Sequence, residues 1–142
     1  ILYTDADLPF DLFELPRAVR LLEQQGADVL AGYRFDRTSE GLRRTVYTAV
    51  YTFLIRLLFR LRVRDVNFAF KLFRRTLLER IYLKSSGSFI DAEFLLRARQ
   101  ARARIIQVGV DFFPRTEGAS TLSSPRVILG ILWDMLRFFR EL

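Results

Sequence analysis

The chain has neither cysteine nor histidine. The first absence removes disulfides, thiolate nucleophiles and cysteine-based zinc sites. The second leaves carboxylates as the main metal-ligating side chains, which favours a hard ion such as magnesium or manganese over zinc. Lysine is scarce as well: nearly all of the 23 basic residues are arginine, set against 16 acidic ones for a formal charge of +7. Arginine's planar fork suits phosphate, so nucleic acid, anionic lipid and diphosphate substrates all stay open. No apolar run reaches the length of a bilayer span. The nearest, 45–55 and 127–133, are short and are followed by arginines, which fits an interfacial or a buried helix. No signal-peptide pattern opens the chain, and it begins on a strand-like run without a methionine, so its true beginning is expected upstream.

What is present is apolar enough to fold. Hydrophobic residues make up 51% of the 142, sufficient for one ordinary core, and one domain or a large piece of one is expected. Residues 1–4 read as a strand entering an acidic turn. Asp11 or Glu14 begins the next helix, Pro16 is tolerated in its first turn, Ala18, Val19, Leu21 and Leu22 form its apolar face, and Gly26 ends it. A second strand is expected over 27–33, giving an α/β succession. A long helix over about 42–61 carries Arg56, Arg60 and Arg64 at every fourth position as a basic stripe. That pattern suits a helix partly in a membrane interface or one buried against its own sheet. Further expected elements are a strand over 68–73, a short helix capped by Thr76, and a helix over 91–103 with Phe94, Leu95 and Ala98 inward. An alternating strand through Ile106, Val108, Val110 and Phe112, a loop over 114–125 and a final amphipathic helix over 126–142 complete the chain.

Three groups of side chains could carry chemistry. Asp5 and Asp7 stand one residue apart where the first strand ends, and in α/β sheets ligands collect beyond the carboxyl ends of strands. A divalent ion held there would bridge a diphosphate and neutralise charge on the leaving group, although two aspartates in a turn also satisfy local backbone. Asp91 and Glu93, at the start of a helix, form the second pair, which capping explains equally well. In the functional version Asp91 faces the acceptor and Glu93 positions nearby groups. Two apart on a helix, they point in different directions and are not expected to share a ligand. The third group is basic: Arg34 after the second strand, Arg43 and Arg44 at the head of the long helix, Lys71, and Arg115 in the late loop. Each could be a fixed positive donor for phosphate or simply solvated charge.

Five segments together carry a resemblance. They are Tyr3-Thr4-Asp5-Ala6-Asp7-Leu8-Pro9; Ala31-Gly32-Tyr33-Arg34; Arg64-Asp65-Val66-Asn67-Phe68-Ala69-Phe70-Lys71-Leu72-Phe73; Ser88-Phe89-Ile90-Asp91-Ala92-Glu93; and Val110-Asp111-Phe112-Phe113-Pro114-Arg115-Thr116-Glu117-Gly118-Ala119-Ser120. In that order and spacing the chain resembles family 2 glycosyltransferases, in the branch of dolichol-phosphate mannose synthases and bacterial polyprenyl-phosphate glycosyltransferases. The resemblance implies a GT-A type α/β fold, a nucleotide-diphosphate sugar donor, Mg2+ or Mn2+, and a lipid phosphate acceptor. It places Asp5 and Asp7 on the metal and diphosphate motif and Asp91 and Glu93 on the later acidic motif, with Asp7, Asp91 and Glu93 counted as catalytic. Arg34, Arg43, Lys71, Arg115 and Ser120 become donor or acceptor phosphate contacts. It implies a membrane surface as partner, at its cytoplasmic face, and no nucleic acid beyond the nucleotide.

The expected reaction is attack by a lipid-phosphate oxygen on the anomeric carbon, with inversion. Such an oxygen is already anionic, so Asp91 is expected to orient the acceptor rather than abstract a proton. The family pattern has glycine at Ala69, arginine at Lys71 and lysine at Thr121. It also has a strand, a helix and a nucleotide-base pocket before the acidic motif. The chain is therefore expected to be the C-terminal part of one catalytic domain, a partial GT-A fold lacking its N-terminal portion, and inactive in isolation. A saccharide or small hydroxyl acceptor, or a non-catalytic basic membrane-associated module, remain the alternatives.

Overall fold

The computed structural model describes residues 1–35, 42–85, 87–113 and 125–140. Strand β1 (Leu2–Thr4) is short because the chain turns at once: Leu8 N donates to Asp5 O at 3.2 Å, and Leu8 adopts a left-handed φ of 43°. Asp11 accepts from Phe13 N at 2.9 Å and caps a single 3-10 turn, which runs into α1 (Leu15–Gln24) with Pro16 in its first turn. Proline costs nothing there, since that N–H has no helical partner. Gly26, at φ 56°, closes α1: Ala27 N reaches back to Leu22 O and Gly26 N to Glu23 O, both 2.9 Å, satisfying the last carbonyls. Helix α4 (Ile90–Gln100) ends in the same way, with Arg102 in the left-handed role at φ 56°.

β1, β2 (Val29–Arg34), β3 (Phe70–Phe73) and β4 (Ile105–Val110) form one mixed sheet in the order β1-β3-β2-β4. β3 is antiparallel to β1 and β2, while β4 is parallel to β2. Thus β1, β2 and β4 share a direction and end on one edge of the sheet, where β3 begins. That shared edge carries the Asp5 and Asp7 turn after β1 and Arg34 at the end of β2.

Alternation within strands splits the core in two. Val29, Ala31 and Phe73 face α2 (Leu42–Phe59), α4 and α5 (Pro125–Arg140), packing with Ile55, Phe59, Phe89, Leu95, Met135 and Phe138. Leu30, Phe70, Leu72 and Val110 face the other way, against Phe10, Phe68 and the Ala18 and Leu22 face of α1. A short α3 (Arg75–Leu78) follows β3.

Two expectations need correction. The basic stripe does not exist as a helical feature: α2 ends at Phe59, Arg60 turns left-handed at φ 52°, and Arg64 lies beyond the helix. The arginines are instead used separately. Arg56 donates through Nε and Nη2 to Val63 O at 3.1 and 2.9 Å, and Arg64 lies over the Tyr33 ring. Nor does Thr76 cap α3, which begins one residue earlier after an extended Arg74 and has no side-chain cap.

Candidate functional site

Lys71 sits centrally in β3, opposite Tyr3 in β1 and Ala31 in β2. It is only 1% exposed, and a buried ammonium must be paired. Its Nζ donates to Phe68 O at 3.0 Å and forms an ion pair with Asp91 Oδ1, in the first turn of α4. The same Nζ lies 5.3 Å from the centre of the Tyr3 ring. Lys71, expected as a phosphate contact, is thus directed to Asp91.

Asp5 and Asp7 lie exposed in the turn that follows Tyr3. The Tyr3 phenol is pushed up to about 12, first by burial and then by the negative charges of Asp91 and Asp5. One ring therefore feels carboxylates from two elements, the β1 turn and α4. Tyr51, on α2, is also pushed upward, by burial and then by Asp91 and Asp134. Its hydroxyl is buried without a hydrogen-bond partner among the described residues, a state that costs about 1–3 kcal/mol.

Glu93 behaves differently from Asp91, as their spacing requires. It is buried and accepts from Lys84 N at 3.1 Å, Ser85 N at 2.7 Å and Arg97 Nε at 3.3 Å. Burial by itself would raise its pKa, but the bonds from Ser85, Lys84 and Arg97 outweigh burial and hold it below the ordinary value. Glu93 fixes the turn ahead of α4; expected as a positioning group, it acts on backbone.

Arg34 ends β2 at the shared edge and is 8% exposed. Its Nε and Nη2 meet Asp65 Oδ2 and Oδ1 at 2.7 and 3.1 Å, and its guanidinium lies 5.6 and 5.3 Å from the ring centres of Phe68 and Phe112. The fork expected to grip phosphate grips a carboxylate, tying the entry to β3 onto the end of β2. Arg115, Ser120 and the side chain of Arg43 lie outside the described residues. The segment after β4 does begin beside the acidic turn, because Phe113 N donates to Pro9 O at 2.9 Å. A cleft of about 510 Å³ opens between the end of β2 and α2, lined by Tyr33, Phe35, Thr52, Phe53, Arg56 and Arg64.

Among the described residues no three acidic side chains converge as a metal cage. The Asp5 and Asp7 pair nevertheless fits magnesium or manganese: both offer hard oxygen donors, and both are exposed where a substrate oxygen could complete the shell. Magnesium is commonly held by one or two carboxylates plus phosphate and water.

The sequence alone did not single out Tyr3, Tyr51, Asp65 or Asp134. Asp65 left one signal, a lone acid following the arginine-rich stretch 60–64; the tyrosines are indistinguishable from core aromatics.

No family model matches the chain. It is 31% identical over 147 aligned positions to the glycosyltransferase AglD of Haloferax volcanii, covering all of this chain and 23% of that protein. It is 33% identical over 140 positions to proteins of Mycobacterium bovis and Mycobacterium tuberculosis named as uncharacterized glycosyltransferases, covering 96% of this chain and 62% of each. The chain is similar to glycosyltransferases. It spans about a quarter of the archaeal relative and under two thirds of the mycobacterial ones, and the mixed α/β sheet is consistent with a domain of that kind.

Proposed function

We propose that this chain belongs to a GT-A type glycosyltransferase of family 2 that moves a sugar from a nucleotide-diphosphate sugar onto a polyprenyl phosphate, with inversion, at the cytoplasmic face of a membrane. The observation that carries the reading is the meeting of the Asp5 and Asp7 turn with the Lys71–Asp91 pair across the Tyr3 ring. Asp5 and Asp7 would hold Mg2+ or Mn2+, which when bound offsets charge on the departing nucleoside diphosphate.

The chain's own contribution is position and charge. Lys71 holds Asp91 in a fixed orientation from the first turn of α4, and Glu93 holds the turn that presents it. The acceptor phosphate oxygen forms the bond to the anomeric carbon as the bond to the diphosphate oxygen breaks. No proton need be removed, so an ion-paired Asp91 suits orientation better than general base catalysis.

A membrane surface as partner is supported by the outward face of α2, where Val46, Val50, Phe53 and Leu57 are each at least half exposed, and by Trp133 and Leu136 on α5. Among the described residues no helix is long and apolar enough to cross a membrane, so the contact would be interfacial. A hydroxyl acceptor is the second reading, favoured by Thr121 where the family pattern has lysine.

The test uses the full-length protein. Manganese-dependent binding of a nucleotide sugar, lost in Asp5→Asn and Asp7→Asn, is the expected result, with radiolabel passing into lipid extract. Label in water-soluble product would favour the hydroxyl acceptor, and donor binding indifferent to both metal and substitutions would sink the site.

A further inference from the structure

The cleft of about 510 Å³ beside the end of β2 has no role in the proposed reaction, yet it brings arginines and exposed aromatic side chains together. Its α2 wall is Ala49, Thr52 and Arg56, whose spacing puts them on one side of the helix. Arg64 lines it as well, its guanidinium 4.7 Å from the centre of the Tyr33 ring. Val63 O accepts from Nε and Nη2 of Arg56 at 3.1 and 2.9 Å, which fixes that fork without neutralising it. Among the described residues neither Arg56 nor Arg64 is paired with a carboxylate, and no acidic side chain lines the cleft. Arg34, which also borders it, is committed to Asp65. Phe53 belongs both to the cleft and to the outward stripe of Val46, Val50, Phe53 and Leu57, each at least half exposed.

We propose that this cleft seats the phosphate of an anionic bilayer phospholipid, with Arg56 and Arg64 as its donors and the acyl chains leaving over Phe53. Guanidinium forks match phosphate oxygens, and two of them with no acidic side chain in the lining leave a positive charge that an anion offsets. A sugar or another neutral ligand would leave that charge uncompensated. The choice among phosphates follows from the apolar stripe. The cleft flanks that stripe along α2, so a headgroup in the cleft sits at the level where an interfacial helix meets lipid phosphates. A free nucleotide or inorganic phosphate would leave Phe53 and its neighbours in water. The proposal rests on the membrane-surface reading and deepens it. The stripe gives affinity for any bilayer, and the two arginines make that affinity depend on anionic lipid.

Arg64→Gln removes a donor whose guanidinium contacts a ring rather than backbone, so the fold should hold. Arg56→Gln also loses the bonds to Val63 O and is read beside its melting temperature. Full-length protein is co-sedimented with phosphatidylcholine vesicles and with vesicles containing phosphatidylglycerol, at one ionic strength. Wild type should prefer phosphatidylglycerol, and each variant should bind it roughly fivefold less while binding phosphatidylcholine as before. Arg20→Gln, an equal loss of charge on the exposed side of α1, should bind phosphatidylglycerol within about twofold of wild type. A loss as large in Arg20→Gln would show the attraction to be diffuse and overturn the site. Unchanged phosphatidylglycerol binding in both cleft variants overturns it too. A loss seen only with phosphatidylcholine vesicles carrying undecaprenyl phosphate assigns the cleft to the acceptor, and a loss of nucleotide-sugar binding assigns it to the donor. Either result overturns the proposal and leaves the reaction standing. Wild type that binds neither vesicle removes the membrane reading and the proposal with it.

Discussion

Arg34 and Asp65 grip each other at two points, 2.7 and 3.1 Å, with the guanidinium packed against both the Phe68 and Phe112 rings. Thirty-one residues apart, they lock the end of β2 to the segment that feeds β3, beside the proposed site. Removing one partner strands a buried charge. Asp65→Ala is expected to cost about 3–5 kcal/mol by chemical denaturation. The double variant Arg34→Met, Asp65→Leu should recover much of that loss, and a double variant as unstable as the single one would show that packing, not charge, is what fails.

Gly32 and Gly109 offer a contrast along adjacent strands. A Cβ at Gly32 would come within 2.9 Å of Phe70 Cβ and 3.2 Å of Phe68 Cδ1, atoms held in the core. At Gly109 it would meet the ring of Phe35, which is mostly exposed and can swing away. Gly32→Ala should therefore lose about 1–3 kcal/mol, while Gly109→Ala stays within about 1 kcal/mol of wild type. Thermal melts of the two variants side by side check this.

Arg102 closes α4 in a left-handed conformation that glycine adopts without strain. Arg102→Gly is expected to raise stability by roughly 1 kcal/mol. An unchanged or lower unfolding midpoint would contradict that expectation.

Glu93 supplies a pH dependence of definite sign. Its folded pKa lies below the ordinary 4.5, so its bonds to Ser85, Lys84 and Arg97 add stability that is full above that value. That stability is lost as pH falls below it, through the folded pKa. Glu93→Gln should be less stable near neutrality and should show a flatter loss of stability in acid. Parallel pH curves for the two proteins would rule out this role.

Phe53 and Leu57 are more than 60% exposed on the outer face of α2 and make little contribution to the core. Aspartate at either position should leave the melting temperature nearly unchanged. Co-sedimentation with phosphatidylglycerol vesicles should fall roughly tenfold, as expected from losing about 1.5 kcal/mol or more of apolar burial. Undiminished co-sedimentation would count against α2 as the membrane-facing element.

Local rules were readable where the chain obeys them locally. Gly26 ends α1 because only a left-handed residue completes that cap, and Phe94, Leu95 and Ala98 face inward because helical spacing puts them on one side. The acidic turn after β1 was legible for the same reason: a short apolar run followed by Asp5 and Asp7 reads as a strand giving way to polar chain. The basic stripe misled because a period of four is a helical signal only while the helix lasts. Arg60 breaks it, and the path of the chain beyond α2 is decided by the bonds from Arg56 and Arg99 to backbone carbonyls.

The sequence by itself determined the order of helices and strands and which faces of α1 and α4 turn inward, because these depend on neighbours a few residues apart. Only the tertiary structure decided what each charge meets. Lys71 and Asp91 are twenty residues apart, a separation that no helix or strand makes periodic, and they pair because β3 and α4 pack face to face. Arg34 turned from an expected phosphate contact into half of a buried ion pair because the strand order sets β3 beside β2. Burial made both outcomes obligatory, since a charge removed from water must find its counterpart wherever the fold has placed one.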